Sequence, residues 1–210
     1  MGDVLEGARS NPRSQTTYTS GVHDRDFTRR TLGRVHIAPP DPAWPEQFLR
    51  ERERLRPLLG RIADELEHYG STAVAGLSAK PIIDMMGPVA SLDQADMLSL
   101  SLVSAGYRKI DAGFIKRRFF RRDPEGAGPA FHLHLVVCPT WPLKNEIILR
   151  DWLSQYPEVA RAYETLKMEL ALTNGDDMPR YTEGKTSFLR RVVNEARLSI
   201  GLAAEQDWEE

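Results

Sequence analysis

The feature that most constrains this sequence is a nearly continuous apolar run over residues 81–89. A short run of this kind is typical of a buried strand at the centre of a sheet. It contains one charged side chain, Asp84. A carboxylate inside such a strand is costly unless it is paired, bound to a metal or placed at a cavity. Asp84 is therefore a candidate functional residue. The alternative is that it caps a neighbouring turn through backbone hydrogen bonds.

The other apolar patterns predict both strands and helices. Strands and helices are mixed up to Pro139, and the pattern after it is helical to the end. This order is typical of a mixed α/β (α+β) domain with a helical C-terminal part. The remaining strands are predicted at residues 34–38, 62–69, 114–122 and 131–137, and helices are predicted to begin near Trp44, Ser91, Leu143, Pro157 and Phe188.

The two ends of the chain differ from its middle. Residues 1–33 contain only eight apolar side chains, without helical or strand periodicity, which predicts a flexible N-terminal extension. We expect a folded domain over residues 34–201 and an acidic tail over residues 202–210. No apolar run approaches the roughly 18 residues of a membrane-spanning helix, and the N-terminus does not resemble a signal peptide. The single cysteine, Cys138, suits a reducing compartment, so we expect a cytoplasmic protein that does not enter a membrane.

The charge balance bears on the class of partner. Lysine and arginine total 28 against 30 acidic residues, a net charge of −2. Proteins dedicated to nucleic acid usually carry a clear basic surplus. The composition therefore argues against a nucleic-acid partner.

A small-residue turn follows the strand predicted before residue 70. Gly70, Ser71 and Thr72 offer N–H groups and hydroxyls that could approach a phosphate closely. The segment is not a Walker loop, because no Gly-Lys-Ser/Thr follows at the required distance. The alternative is an ordinary tight turn.

Two histidines alternate with apolar residues in the strand predicted at residues 131–137. His132 and His134 would share one face of that strand, since side chains i and i+2 point the same way. Such a pair suits metal ligation or acid–base work near a phosphate. The alternative is the polar face of an edge strand.

A run of cations lies on the neighbouring predicted strand, at residues 116–122. Alternation distributes these cations over both faces of the strand. Guanidinium groups beside the histidines would clamp a phosphate, and Arg118 is our candidate. The alternative is a solvated edge strand whose charges prevent aggregation. Lys80 and Lys185 are further, weaker candidates for phosphate binding.

Together these motifs resemble the GrpB family, whose fold is similar to that of nucleotidyltransferases: a mixed sheet flanked by helices. The resemblance implies that Gly70 and Ser71 hold a triphosphate and that Asp84 binds Mg²⁺ (or Mn²⁺). Met86 stands where the wider superfamily has a second acid, so His132, His134 or Glu67 would complete the metal site. The motifs are residues 40–45, 67–74, 80–84, 132–134 and 149–151, with Tyr181 and Lys185.

The resemblance implies an enzyme that uses ATP, or another nucleoside triphosphate, with a divalent metal. It would transfer a nucleotidyl group to a small-molecule acceptor, or adenylylate and ligate that acceptor. The alternative is a non-catalytic module that binds a nucleotide or cofactor. The expected catalytic residues are Asp84, His132, His134 and Arg118; the nucleotide-binding residues are Gly70, Ser71, Thr72, Lys80 and Lys185; the metal ligands are Asp84, Glu67 and His134.

Overall fold

The computed structural model describes residues 34–205 except residues 138, 140 and 142. The predicted extension at residues 1–33 lies outside the described residues, as do residues 206–210 of the predicted tail. The helices are α1 (Trp44–Leu59), α2 (Leu92–Met97), α3 (Ser99–Ser104), α4 (Asn145–Gln155), α5 (Pro157–Asn174) and α6 (Met178–Ser199), with 3₁₀ helices at Gly60–Glu65 and Ser71–Ala73. The strands are β1 (Glu67–Tyr69), β2 (Ile82–Pro88), β3 (Arg108–Ile110), β4 (Arg117–Arg122) and β5 (Ala130–Val136).

The five strands form one mixed sheet in the order β1-β2-β5-β4-β3. β2 runs parallel to β5, and the other neighbouring pairs are antiparallel. This confirms the predicted α/β class, with a mixed sheet and a helical C-terminal part. The histidine strand β5 is the central strand and the basic strand β4 is an inner one. The edge-strand alternative is therefore wrong for both.

The predicted strand at residues 62–69 is largely wrong. Residues Gly60–Glu65 form a 3₁₀ helix, and only Glu67–Tyr69 pairs with β2. In this segment Ala63 is fully buried, and the two acidic residues that follow it, Asp64 and Glu65, are both exposed. Two consecutive exposed residues suit a helical turn better than a strand, in which burial alternates. At residues 34–38 the described pairing is a single bridge between Ala38 and Ala79, because the prolines that follow cannot donate to a ladder.

The helical predictions differ at two boundaries. The helix predicted from Ser91 is two short helices, α2 and α3, and the Ser91 side chain caps the first by accepting from the Gln94 N–H. α6 begins at Met178, well before Phe188, and the Asp177 carboxylate caps it. Its first turns are polar and lack the apolar period from which the helix was predicted. No helix in the described ranges is long and apolar enough to cross a membrane.

The sheet has two different faces. The first, which we call the core face, packs against α1, α2 and α3 through the main hydrophobic core. The second, which we call the cavity face, carries the functional candidates and lies toward α4, α5 and α6, which pack on one another. The core face of β2, β4 and β5 consists of Ile83, Met85, Phe120, Phe131, Leu133 and Leu135. The cavity face of the same strands includes Asp84, Met86, Phe119, Arg121, His132 and His134.

The first residues of the predicted acidic tail are held on α6. The Arg197 guanidinium donates to the Ala203 carbonyl and pairs with the Glu205 carboxylate at 2.9 Å. The Asn145 side chain also donates to Glu205, at 2.8 Å. This part of the tail therefore closes the end of the α4–α6 layer.

Candidate functional site

The turn after β1 brings the backbone against Asp84. Gly70 has a φ of +74°, and a Cβ on this residue would lie 2.5 Å from the Asp84 Oδ2 atom. Only glycine combines this backbone conformation with such a close approach. Gly70 therefore lets the carboxylate of β2 lie directly against the Gly70–Ser71 backbone.

Thr72 links this turn to β2. Its hydroxyl donates to the Ile82 carbonyl at 2.8 Å and lies 3.0 Å from the His68 Nε2 atom. Thr72 also borders the cavity described below, but its hydroxyl is already engaged within the protein. These two contacts tie the turn at Gly70–Thr72 to β1 and β2.

Asp84 and His132 form a pair on the cavity face. The two residues are in register on adjacent parallel strands, and the Asp84 Oδ1 atom lies 3.1 Å from the His132 Nδ1 atom. The structure thus places Asp84 beside the histidine strand. In the described part of the chain, the buried Nε2 atom of His132 has no hydrogen-bond partner. Asp84 therefore fixes the orientation of the His132 ring.

Three lysines surround this pair in a cavity of about 180 Å³, which we call the lysine cavity. Lys80 comes from the loop before β2, Lys167 from α5 and Lys185 from α6. Tyr163 and Tyr181 line the same cavity, and the Nζ atom of Lys185 lies 4.5 Å from the ring centre of Tyr181. The structure thus brings Gly70, Ser71, Thr72, Lys80, Lys185, Asp84 and His132 to one place.

Lys167 is the member of this cavity that the sequence reasoning missed. It is buried, and its ammonium donates to the Ser78 carbonyl. Burial, together with the charges of Lys185 and Lys80, lowers the pKa of Lys167 to about 7. Burial and the nearby Arg121 also lower the pKa of Lys80. A signal existed in the sequence, because Lys167 lies on the apolar stripe of α5, one turn after Tyr163.

His134 shares the cavity face with His132 but does not border the lysine cavity. Its ring stacks on Phe119 with a centroid distance of 4.4 Å and lies edge-on to Tyr69 and Phe114. Burial, followed by the charge of Arg117, holds the pKa of His134 well below its usual range. His134 is therefore a neutral imidazole inside an aromatic cage. The predicted placement of both histidines around one site is wrong.

The predicted metal ligands do not come together. The Glu67 carboxylate pairs with the Arg150 guanidinium at 2.6 Å, and Met86 is fully buried where a second acid was expected. Within the described residues, no three His, Cys, Asp or Glu side chains could hold a metal ion. The predicted set of Asp84, Glu67 and His134 is therefore wrong. The donor set present does not fit a divalent metal centre, which needs several oxygen ligands.

Arg118 lies on the other side of the sheet. It is in register with Leu135 of β5, so its side chain is on the core-face side, and the Asp96 carboxylate holds its guanidinium at 2.9 Å. Its predicted role beside the histidines is wrong. The cations of β4 that share the histidine face are Arg117 and Arg121.

A second cavity, of about 260 Å³, also borders the Gly70–Ser71 turn. We call it the aromatic cavity. It shares Gly70, Ser71 and Tyr163 with the lysine cavity. No local sequence pattern predicts this cavity, because its walls come from distant segments of the chain. Its other lining residues are Tyr69, Phe114, Arg117, His134, Glu146, Leu149, Arg150, Leu153 and Leu189.

Comparison with known proteins decides the family. A family model described as GrpB protein matches residues 34–195, more than three quarters of the chain. The chain belongs to the GrpB family. The predicted resemblance is thereby confirmed, over nearly the range that carries the fold described above.

Individual GrpB relatives agree with this assignment. The UPF0157 protein PA4798 of Pseudomonas aeruginosa is 36% identical over 166 residues, which cover 78% of this chain and 68% of that protein. The crystal structure of GrpB from Enterococcus faecalis is similar with a TM-score of 0.70 and 30% identity, covering 79% of this chain and 99% of that one. A weaker similarity, with a TM-score of 0.44 and 19% identity over 62% of this chain and 43% of that chain, is to the Cid1 poly(U) polymerase with MgGTP bound.

Proposed function

We propose that this GrpB protein binds the phosphates of a nucleoside triphosphate, such as ATP, in the lysine cavity. The observation that carries the proposal is the convergence of Lys80, Lys167 and Lys185 from three separate elements around the Gly70–Ser71 turn. Three cations in one small cavity repel one another, and burial, together with this smaller repulsion, lowers the pKa of Lys167. A bound polyanion would relieve the repulsion and gain charge-assisted hydrogen bonds.

The residues favour direct contact between lysine and phosphate over contact through a metal. Asp84 is the single carboxylate among the residues lining the lysine cavity, and its described partner is His132. Lysine is a common phosphate ligand that acts as a point charge. This arrangement supports a nucleotide-binding module, the alternative that the sequence left open.

Nucleotidyl transfer is a second candidate function, and the Asp84–His132 pair favours it. Asp84 orients the imidazole through Nδ1, which leaves Nε2 to accept a proton from the hydroxyl of a small-molecule acceptor. The acceptor oxygen would attack the α-phosphorus as the bond to pyrophosphate breaks. The lysines would neutralise the departing pyrophosphate. An acceptor carboxylate would be adenylylated by the same attack without the proton transfer.

The charge of Asp84 provides a test of phosphate binding. With EDTA present, we expect Asp84→Asn to bind ATP about fivefold more tightly than the wild type, because one negative charge next to the phosphates is removed, worth roughly 1 kcal/mol in water. Calorimetry would measure the affinity with EDTA and with Mg²⁺. A metal-bridged site predicts the opposite result: binding that requires Mg²⁺ and that Asp84→Asn abolishes.

Two cation variants complete the test. Lys185→Met should weaken ATP binding about tenfold, as the loss of one charge-assisted contact does. Arg118→Met, which removes a cation from the opposite side of the sheet, is the matched control and should leave the affinity unchanged. ATP binding that is absent in the wild type, or equal in both variants, contradicts the proposal.

Transfer has its own readout. Wild-type protein with α-labelled ATP and a panel of hydroxyl and carboxylate acceptors should yield a labelled product. His132→Gln should bind ATP as before but form no product, because the proton acceptor is lost. A wild type that binds ATP and labels no acceptor would leave the binding module as the function.

A further inference from the structure

We propose that the aromatic cavity binds a neutral, flat molecule whose edge carries both a hydrogen-bond donor and an acceptor, such as an aromatic carboxamide. This site is distinct from the lysine cavity, and its binding does not depend on whether ATP binds there. If the protein also transfers a nucleotidyl group, the aromatic cavity would hold the body of the acceptor next to the phosphates. Only this role as an acceptor site rests on the proposed function.

Buried polar atoms without partners are the first observation. The Arg117 Nε, His134 Nδ1 and Glu146 Oε2 atoms are buried and have no hydrogen-bond partner within the described residues. All three residues line the aromatic cavity. Because buried polar groups in proteins are nearly always hydrogen-bonded, a cluster of three unpaired atoms indicates a missing partner. The set includes an obligate donor on Arg117 and an obligate acceptor on Glu146, so the partner must both accept and donate.

The charge balance of the cavity makes that partner neutral. The Arg117 guanidinium pairs with the Glu146 carboxylate at 2.8 Å, so their charges cancel. The Arg150 guanidinium, also at the wall, pairs with both Glu67 and Asp151. The neutral imidazole of His134 adds no charge. A net charge on the ligand would be buried without compensation, at a large cost.

The walls of the cavity define the body of the ligand. Phe114 packs edge-on against the His134 ring, and the Arg117 guanidinium lies 4.0 Å from the centre of the Phe114 ring. Leu149, Leu153 and Leu189 supply aliphatic surface from α4 and α6. Aromatic and aliphatic walls with a few fixed polar groups are typical of small-molecule sites. A single flat ring with a polar edge satisfies both parts of this wall.

Three matched probes test the proposal on the full chain. Benzamide is neutral with a donor and an acceptor, benzoate is an anion, and benzylamine is a cation of similar size. We expect saturable benzamide binding in the millimolar range by ligand-observed NMR, with both charged probes at least about tenfold weaker. Equal binding of all three probes, or no saturable benzamide binding, would overturn the proposal.

A charge variant sharpens this test. Glu146→Gln leaves Arg117 uncompensated, so the preference should change from benzamide to benzoate. Glu158→Gln, an exposed position on α5, is the matched control and should keep the wild-type order. An unchanged order in Glu146→Gln would contradict the assigned role of the ion pair. If Glu146→Gln does not fold, Leu189→Phe replaces it, and this variant must weaken benzamide binding by filling the cavity.

Separate ligands distinguish this site from the lysine cavity. Inorganic tripolyphosphate should not displace benzamide, and Lys185→Met should leave benzamide binding unchanged while it weakens ATP binding. Displacement of benzamide by tripolyphosphate would show one shared site and overturn the proposal. A wild-type protein that binds benzamide but does not bind ATP would contradict only the proposed function.

Discussion

The two faces of the sheet use the same strands for different purposes. On the core face, Met85 and Leu133 are fully buried in the main hydrophobic core. On the cavity face, one position away in each strand, Asp84 and His132 form a polar pair at the edge of the lysine cavity. Alternation along β2 and β5 thus separates the residues that stabilise the fold from those that can bind a ligand.

The difference also concerns how polar groups are satisfied. The core face includes one buried histidine, His68, whose Nε2 atom lies 3.0 Å from the Thr72 hydroxyl. The cavity face contains His132 and His134, each with a buried nitrogen that lacks a partner in the described part. His68 thus has a partner within the protein, whereas the unpaired nitrogens of His132 and His134 are on the face where a ligand would supply one.

The largest expected effect is a difference in stability between substitutions on the two faces of the sheet. Leu133→Ala should lower the free energy of unfolding by about 4 kcal/mol, since it leaves a cavity in a fully buried core. His132→Ala, the neighbouring position on the other face, should cost only about 1 kcal/mol. Denaturant unfolding of both variants measures the two values. Similar losses of unfolding free energy in the two variants would show that residues on the cavity face contribute as much to stability as residues on the core face.

The next effect is an acid destabilisation that originates on the core face. Burial lowers the pKa of His68 to about 4, so below pH 6.5 the unfolded chain binds a proton that the folded protein does not. The contribution of this histidine to stability should be complete above pH 6.5 and should fall by about 3 kcal/mol as the pH drops to 4. Unfolding at several pH values should show a shallower slope for His68→Gln. The control His36→Gln, at an exposed position, should retain the wild-type slope.

On the cavity face, pH should act on binding. Since the pKa of Lys167 is about 7, its charge is present below that pH and is lost above it. We expect ATP affinity to fall about tenfold between pH 6 and pH 8, equivalent to ~1.4 kcal/mol. Calorimetry on the wild type and Lys167→Met should show the fall only in the wild type. An identical pH profile in the two proteins would remove Lys167 from the site.

The smallest effect is expected at Arg118. Arg118→Ala breaks a partly exposed ion pair with Asp96 and should cost less than about 1 kcal/mol of stability. ATP affinity should not change, because the residue lies on the other side of the sheet. Arg121→Ala is the contrasting variant. Arg121 is in register with His132 on the cavity face, so its loss should change the ATP affinity. If Arg118→Ala changed the ATP affinity and Arg121→Ala did not, the core face and not the cavity face would be the one that binds ATP.

Local patterns predicted much of the fold. The apolar runs in residues 81–89 and 131–137 identified the two central strands, and alternation placed both histidines on one face. The prediction of a strand over residues 62–69 was correct only for Glu67–Tyr69, because the few apolar residues before it also suit a 3₁₀ helix. β3 was missed because Arg108–Ile110 is too short to show a period.

The candidate site depended more on pairings between distant residues. Alternation showed that the cations of β4 are distributed over two faces. Only the register with β5 showed that Arg118 is on the face away from the histidines. The lysine cavity required α5 to place Lys167 on the Ser78 carbonyl, a contact between residues 89 apart in the chain. Strand periodicity is a property of a few consecutive residues, so the sequence alone determined which residues share a strand face. Register and helix docking are decided by the packing of the whole core, so only the tertiary structure determined which of those residues meet.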